Sequence, residues 1–316
     1  MGQVDLGFCV LGQSLREGCG ADTIMFGSLI KGLCAAKQLG DAAKTGLQLG
    51  RRMTKEGSCC KPNVVTYNIL IHGFCREGEI AEAVKMFDEM VAQRVKTNVI
   101  TFNTLFDGLC KNEDVKVAQK VFKEMPTCGV VPDLYTHNSL IDGLCKDGDV
   151  SAARRVFEDM PDHGVVANLY TYNILIDGLC SHGDRNSALR MFEEMSAKGV
   201  VPDITTYNSL ILGSFGVGDS RIDKATALFD TITQKGIVPD QHSYSTLING
   251  YCKIGSIIEA LQLVEKMMMQ GLKPDDVTID IILCALSKCE NPDEVKLFIS
   301  GMSDGRELVE EFSHCK

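Results

Sequence analysis

NVVTYNILIHGFCREGEIAEAVKMFDEM, residues 63–90, returns downstream as NVITFNTLFDGLCKNEDVKVAQKVFKEM (98–125) and DLYTHNSLIDGLCKDGDVSAARRVFEDM (133–160). With the copies in register, Asn68, Asn103, Asn138, Asn173 and Asn208 follow one another at a constant 35 residues. A fixed period of that size marks stacked repeats, in which each unit buries its apolar side only against its neighbours. Within 64–98, Tyr67, Leu70, Ile71, Phe74 and Cys75 fall at i, i+3, i+4, i+7 and i+8, one face of a helix. Thr66 is placed to start that helix and Gly78 interrupts it. Ile80, Ala83, Val84, Phe87 and Met90 then draw the stripe of a second helix. The segment GVVPD at 129–133 supplies a glycine suited to left-handed geometry and a proline that cannot continue a helix, which ends the second helix. Each unit is therefore expected to be helix, turn, helix, and the chain to be all-α.

The repeats divide the chain into units 64–98, 99–133, 134–168, 169–203, 204–240 and 241–275, followed by a degenerate unit over 276–310 and a tail at 311–316. An irregular unit occupies 23–63, with extra residues near 47–58. Residues 1–22 read as the second helix of a truncated unit, so the chain is expected to be a piece of a longer array. The unit from Ile204 carries two more residues around GSFGVGDSRID, which lengthen its turn. Ala83, Ala118, Ala153, Ala188, Ala225 and Ala260 recur where the two helices of a unit must approach. Phe87, Phe122, Phe157, Phe192 and Phe229 fill the space one turn later.

Hydrophobic residues make up 45% of the 316 and charged ones 23%, ordinary for a folded chain, and no apolar run approaches the roughly 18 residues that a membrane helix needs. No membrane insertion is expected. A net charge of -10 argues against a generally basic nucleic-acid binder but leaves room for a local basic stripe. Of the 14 cysteines, Cys34, Cys75, Cys110, Cys145, Cys180 and Cys252 hold one place in successive units, which reads as small buried thiols between helices in a reducing compartment. The six histidines are scattered, and neither a metalloprotease H-E-x-x-H nor a Gly-rich phosphate loop occurs. No enzyme activity, metal or cofactor is expected.

On the first helix of a unit, Asn68, His72 and Arg76 share one face beside the apolar stripe, as do Asn103, Asp107 and Lys111, then Asn138, Asp142 and Lys146, then Ser245, Asn249 and Lys253. Stacking lines these rows into a polar ribbon. Arg76, Lys111, Lys146 and Lys253 are candidate phosphate contacts, although Asp107 and Asp142 stand in the right place to pair with Lys111 and Lys146 instead. The last residue of each unit, Asn98, Asp133, Asn168, Asp203, Asp240 or Asp275, lies near the next helix start and offers a second polar contact. Asn near a helix start can also be a plain cap. Tyr67, Phe102, Tyr172, Tyr207 and Tyr244 belong to the apolar stripe and read as core. Val65, Ile100, Tyr135, Tyr170, Thr205 and His242, second in their units, are better placed to wedge against a base.

The blocks TYNILIHGFCREG and TYNILIDGLCSHG with the PD ending resemble the pentatricopeptide repeat family over nearly the whole chain. The GLC-rich style and TIMFGSLIKGLCAAK are similar to its plant fertility-restorer branch. Tetratricopeptide repeats share the A-x3-F of the second helix but lack the TYN block, and a protein-binding scaffold of that kind is the alternative function. The resemblance implies a right-handed α-solenoid that binds single-stranded RNA in mitochondria or chloroplasts, one nucleotide per repeat, acting as a monomer on organellar transcripts with or without an auxiliary processing protein. Mitochondrial placement rests on resemblance, since MGQVDLGFCVLGQ shows no presequence; a chloroplast or, for a truncated product, the cytoplasm is the alternative.

In that family the fifth residue and the last residue of a unit select the base, and the second sandwiches it. Carried over, Asn68 with Asn98 implies C, Asn103 with Asp133 U, Asn138 with Asn168 C, Asn173 with Asp203 U, Asn208 with Asp240 U, and Ser245 with Asp275 G. The implied core is 5'-CUCUUG-3'. Gly27 with Asn63 and Asp280 with Glu310 depart from the pattern and imply no base.

Overall fold

The computed structural model describes residues 62–112, 114–215 and 222–287. Expectations for residues 1–61, for the lengthened turn at 216–221 and for the end of the last unit lie outside them. Among the described residues there are thirteen α-helices and no strand. They fall into two compact bodies, one ending at Ala167 and the other beginning at Asn168.

The first body contains α1 (Val64–Arg76), α2 (Ile80–Ala92), α3 (Val99–Lys111), α4 (Val115–Glu124), α5 (Leu134–Asp147) and α6 (Val150–Glu158). The second contains α7 (Leu169–Ser181), α8 (Arg185–Ala197), α9 (Ile204–Ser214), α10 (Ile222–Gln234), α11 (Gln241–Lys253), α12 (Ile257–Met269) and α13 (Asp276–Ser287). Each odd-numbered helix packs on the even-numbered one that follows it. Within a body it also packs on the next odd-numbered helix: α1 on α3, α3 on α5, α7 on α9, α9 on α11 and α11 on α13. Within each body, successive hairpins thus share a core.

The side chains of that core follow from the repeat. Ala83, Ala118, Ala153, Ala188, Ala225 and Ala260 are fully buried, their small volume setting the approach of the paired helices. The phenylalanine one turn later meets the aromatic of the next unit edge to face. Ring centroids lie 5.2 Å apart for Phe87 and Phe102, 5.6 Å for Phe192 and Tyr207, and 5.0 Å for Phe229 and Tyr244. Such pairs add about 0.5–1.5 kcal/mol beyond their burial. Tyr67, Phe102, Tyr172, Tyr207 and Tyr244 are all buried, which makes them core rather than stacking platforms.

The unit from Leu134 departs from this pattern. His137 stands where its neighbours carry Tyr or Phe, and its ring packs edge to face on Phe122 at 5.2 Å. Its Nδ1 lies 2.8 Å from the Asp133 carbonyl and its Nε2 3.1 Å from Nδ1 of His163. A carbonyl can only accept, so His137 Nδ1 carries the proton and Nε2 accepts from His163. Burial drives the His137 pKa down, keeping the ring neutral.

The helix starts differ from expectation in one respect. The first helix does not begin at Thr66: Asn63 is the N-cap, its side chain accepting the Thr66 N–H at 3.0 Å. Asn98, Asp133, Asn168, Asp203 and Asp240 cap α3, α5, α7, α9 and α11 in the same way. The Thr or Ser three residues on returns a bond to the cap N–H, completing a capping box. The pattern Asn/Asp-x-x-Thr/Ser carried that signal in the sequence. At the far end, Gly129, Gly164, Gly199, Gly236 and Gly271 take positive φ and stop the second helices as expected. In α4 and α6 the stop comes earlier, because Pro126 and Pro161 turn the chain into short 3-10 segments before that glycine.

Candidate nucleic-acid interface

The repeated cysteine of the first helix packs against the glycine two places before the corresponding cysteine of the next. A Cβ added to Gly108 would lie 2.2 Å from both Cβ and Sγ of Cys75, and one on Gly143 2.7 Å from the Cys110 Sγ. Phe215, which stands in the cysteine's place, reaches as close to Gly250. First helices therefore touch almost backbone to backbone. Burial foremost, helped by Asp107, pushes the Cys75 thiol up to about 12, and burial does the same to Cys110 and Cys180. These thiols stay protonated, as packing groups should, and are poor metal ligands or nucleophiles. No cluster of three metal-ligating side chains occurs among the described residues. No helix among them is long and apolar enough to cross a membrane.

Close stacking delivers the side chains that the sequence singled out. Asn103 Nδ2 lies 3.4 Å from both carboxylate oxygens of Asp133, Asn173 Nδ2 donates to Asp203 Oδ1 at 3.1 Å, and Asn208 Nδ2 to Asp240 Oδ1 at 3.2 Å. In these three units the fifth residue and the last residue, distant in the chain, thus form one polar pair. The last residue is also the next helix's N-cap, so its backbone bond fixes its rotamer. Burial raises the Asp203 and Asp240 carboxyls, but the backbone N–H of Thr206 or Ser243 and the paired asparagine outweigh it and hold both below the usual range. Both are ionised acceptors at neutral pH.

The pairs are not uniform. Asn138, Asn173 and Asn208 are buried, more enclosed than a row beside the apolar stripe would suggest. Asn68 is half-buried and its Oδ1 has no partner, although Asn98 caps the next helix normally. Ser245 Oγ reaches Thr278 Oγ1 at 2.7 Å, and that hydroxyl lies 2.5 Å from Asp275 Oδ1, so this pair is bridged instead of direct.

Beside the pairs stand exposed apolar residues. Val65, Ile100, Tyr135 and Tyr170 are 52–60% exposed, and Thr205 and His242 are exposed as well. Exposed Val277, second in the degenerate unit, continues the series; sequence reading passed it over because that unit's selecting residues had decayed. A large apolar side chain left open at the same place in successive units calls for an occupant.

The basic residues stand in the last turns of α1, α3, α5 and α11, where a cation also offsets the carbonyl end of its helix. Lys111 and Lys146 pair with Asp107 at 2.8 Å and Asp142 at 2.7 Å. Such exposed pairs are worth only about 0.3–0.5 kcal/mol, so a phosphate can displace them.

Comparison with known proteins agrees with this geometry. The PPR repeat family profile matches residues 62–111, 97–146, 137–181 and 171–215, the PPR repeat profile 235–268, and the pentatricopeptide repeat domain profile 10–77. The chain is 48% identical over 63 residues (20% of this chain, 7% of the relative) to the mitochondrial protein Rf1 of Oryza sativa subsp. indica. It is 29% identical over 89 residues (28% and 18%) to a chloroplastic pentatricopeptide repeat-containing protein, a PPR5 homolog, of Oryza sativa subsp. japonica. These matches span less than a fifth of either relative. Its fold is similar to that of the pentatricopeptide repeat protein PPR10 from maize, at TM-score 0.65 and 22% identity over 97% of this chain and 47% of that one. PPR10 has also been crystallised with an 18-nucleotide psaJ RNA element, and that structure matches at TM-score 0.59 and 23% identity over 99% and 47%. With profiles matching well over half of its length and a PPR10-like α-solenoid fold, the chain belongs to the pentatricopeptide repeat family.

Proposed function

We propose that this protein is a sequence-selective single-stranded RNA binder that acts on organellar transcripts by occupying its site, as a monomer, to block nucleases or ribosomes or to guide a processing partner. The observation that carries the reading is the recurrence of a helix-capping Asp joined to the asparagine of its own unit, at Asn103/Asp133, Asn173/Asp203 and Asn208/Asp240, beside a side chain left exposed at the unit's second place. A base entering there meets hydrogen-bonding groups at its edge and an apolar surface at its face, the combination that reads unstacked bases one repeat at a time. The named relatives, one mitochondrial and one chloroplastic, support an organelle as the place of action.

Asn68/Asn98, Asn103/Asp133, Asn138/Asn168, Asn173/Asp203, Asn208/Asp240 and Ser245/Asp275 then select C, U, C, U, U and G, giving 5'-CUCUUG-3'. Val65, Ile100, Tyr135, Tyr170, Thr205 and His242 pack on those bases, and Arg76, Lys111, Lys146 and Lys253 meet phosphates. The chain's net charge is -10, so attraction to RNA must come from this local set. Four neutralised phosphates on a single strand correspond to a log-log salt slope of about -3. Titration of a labelled RNA containing CUCUUG at several salt concentrations is expected to give that slope. No detectable RNA binding would favour a peptide-binding scaffold; binding with a slope near zero would remove the four basic residues from the site.

A further inference from the structure

A third residue joins each Asn–Asp pair. Thr136 Oγ1 lies 2.7 Å from Asn103 Oδ1, Thr206 Oγ1 2.6 Å from Asn173 Oδ1, and Ser243 Oγ 2.7 Å from Asn208 Oδ1. The same hydroxyls lie 2.8–2.9 Å from the cap Asp Oδ1 and accept from the cap N–H at 3.2–3.3 Å. Thr136, Thr206 and Ser243 are fully buried, so no water competes for these contacts.

The carboxylate fixes which way the amide faces, and the hydroxyl, which can donate to either oxygen, lies closer to the amide's. A carboxylate accepts and cannot donate, so the amide must turn its Nδ2 to the Asp and its Oδ1 to the hydroxyl. The hydroxyl has one hydrogen, and the amide oxygen has no other donor, whereas the Asp oxygen already receives the N–H of Thr136, Thr206 or Ser243. The hydroxyl therefore donates to the asparagine. Flipping the amide would set its oxygen against the carboxylate and its NH2 against a hydroxyl that already accepts from the cap.

Of the two described pairs with an Asn cap, Asn68/Asn98 shows the contrast. Thr101 Oγ1 stays with Asn98 Oδ1 at 3.0 Å, and Asn68 Oδ1 is left buried without a partner. No carboxylate is present to fix which way that amide points.

We propose that Thr136, Thr206 and Ser243 are positioning residues for base selection: their hydroxyls lock the Asn103, Asn173 and Asn208 amides so that one N–H and the neighbouring carboxylate face the base together. This rests on the reading that Asn103 and Asp133 select a base. With the N–H set at the base's 4-position and the carboxylate at N3, the pair matches uracil, whose O4 accepts and N3–H donates, and opposes cytosine, whose amino group donates and N3 accepts. Where the lock is absent, as at Asn68, the amide is free to turn its oxygen outward and accept from the cytosine amino group.

The test compares RNAs carrying CUCUUG and CCCUUG against the full chain and its Thr136→Val, Thr136→Ser and Thr101→Val variants, with helicity checked by circular dichroism. Thr136→Val is expected to reduce the preference for U at the second base about 3- to 10-fold while preferences elsewhere hold. Thr136→Ser, which keeps the hydroxyl, should behave as wild type. Thr101→Val gives up the equivalent capping bond but no bond to Asn68, so its preference at the first base, read with UUCUUG, should not move. If Thr136→Val lowers affinity for both RNAs equally, the hydroxyl is only a helix cap and the inference is overturned. If wild type shows no preference at the second base, the reading of Asn103 and Asp133 itself fails. Thr206→Val, read at the fourth base, serves should Thr136→Val lose its helicity, and carries the same two outcomes.

Discussion

Replacing Gly108 by alanine destabilises the protein by about 2 kcal/mol, even though alanine is the better helix former by about 1 kcal/mol. The reason is the contact between first helices: the new methyl group would sit 2.2 Å from Cβ and Sγ of Cys75 and 3.3 Å from its Cα. The sulfur could swing aside, but the Cβ and backbone cannot without parting α1 from α3. Truncating the neighbour to Cys75→Ala keeps the Cβ and should not rescue the variant; Cys75→Gly should recover part of the loss. Denaturant midpoints of the three single and two double variants measure this coupling. A Gly108→Ala protein as stable as wild type would show that the first helices are not in the close register described here.

Asp133→Asn reverses the preference at the second base, from U over C to C over U, by about tenfold in each direction, or 1.4 kcal/mol. On the proposed reading, the carboxylate that accepts from uracil N3–H becomes an amide that can donate to cytosine N3. The substitution isolates recognition from folding, because Asn caps a helix about as well as Asp and Asn98 already builds the same capping box on α3. Binding of CUCUUG and CCCUUG to both proteins gives the four affinities needed. An unchanged order of preference in the variant would mean that Asp133 caps α5 and reads nothing.

The fold was largely present in the sequence because repetition tests every assignment several times. Apolar spacing located both helices of a unit, and Gly129 and its equivalents marked their ends. Two things escaped for physical reasons. Helix starts were placed two residues late, at Thr66 rather than Val64, because the apolar stripe begins only at Tyr67 while the cap is a polar signal ahead of it. The tight Gly108–Cys75 contact joins residues 33 apart, and periodicity along a helix says nothing about which residue of the next unit it meets.

The candidate site divides in the same way. A base-selecting role for Asn103 and Asp133 is what the family resemblance implies; that the two touch, and that Thr136 bridges them, needed coordinates, since Asp133-x-x-Thr136 marks a helix cap and says nothing of Asn103, 30 residues earlier. The exposure of Tyr135 and Tyr170 followed from their place beside a buried neighbour on the helix. The sequence offers no sign that His137 and His163, 26 residues apart, meet; in the structure they share a hydrogen bond, with His137 buried.

If successive units read successive bases, as proposed, the full chain incubated with a randomised single-stranded RNA pool at near-physiological salt retains molecules that share a core, which sequencing of the bound fraction reveals. Enrichment of CUCUUG, with the U and C positions in that order and the flanks unconstrained, is the predicted result; recovery of RNA without a shared core, or with a core unrelated to the pairs at Asn103/Asp133, Asn173/Asp203 and Asn208/Asp240, would contradict it.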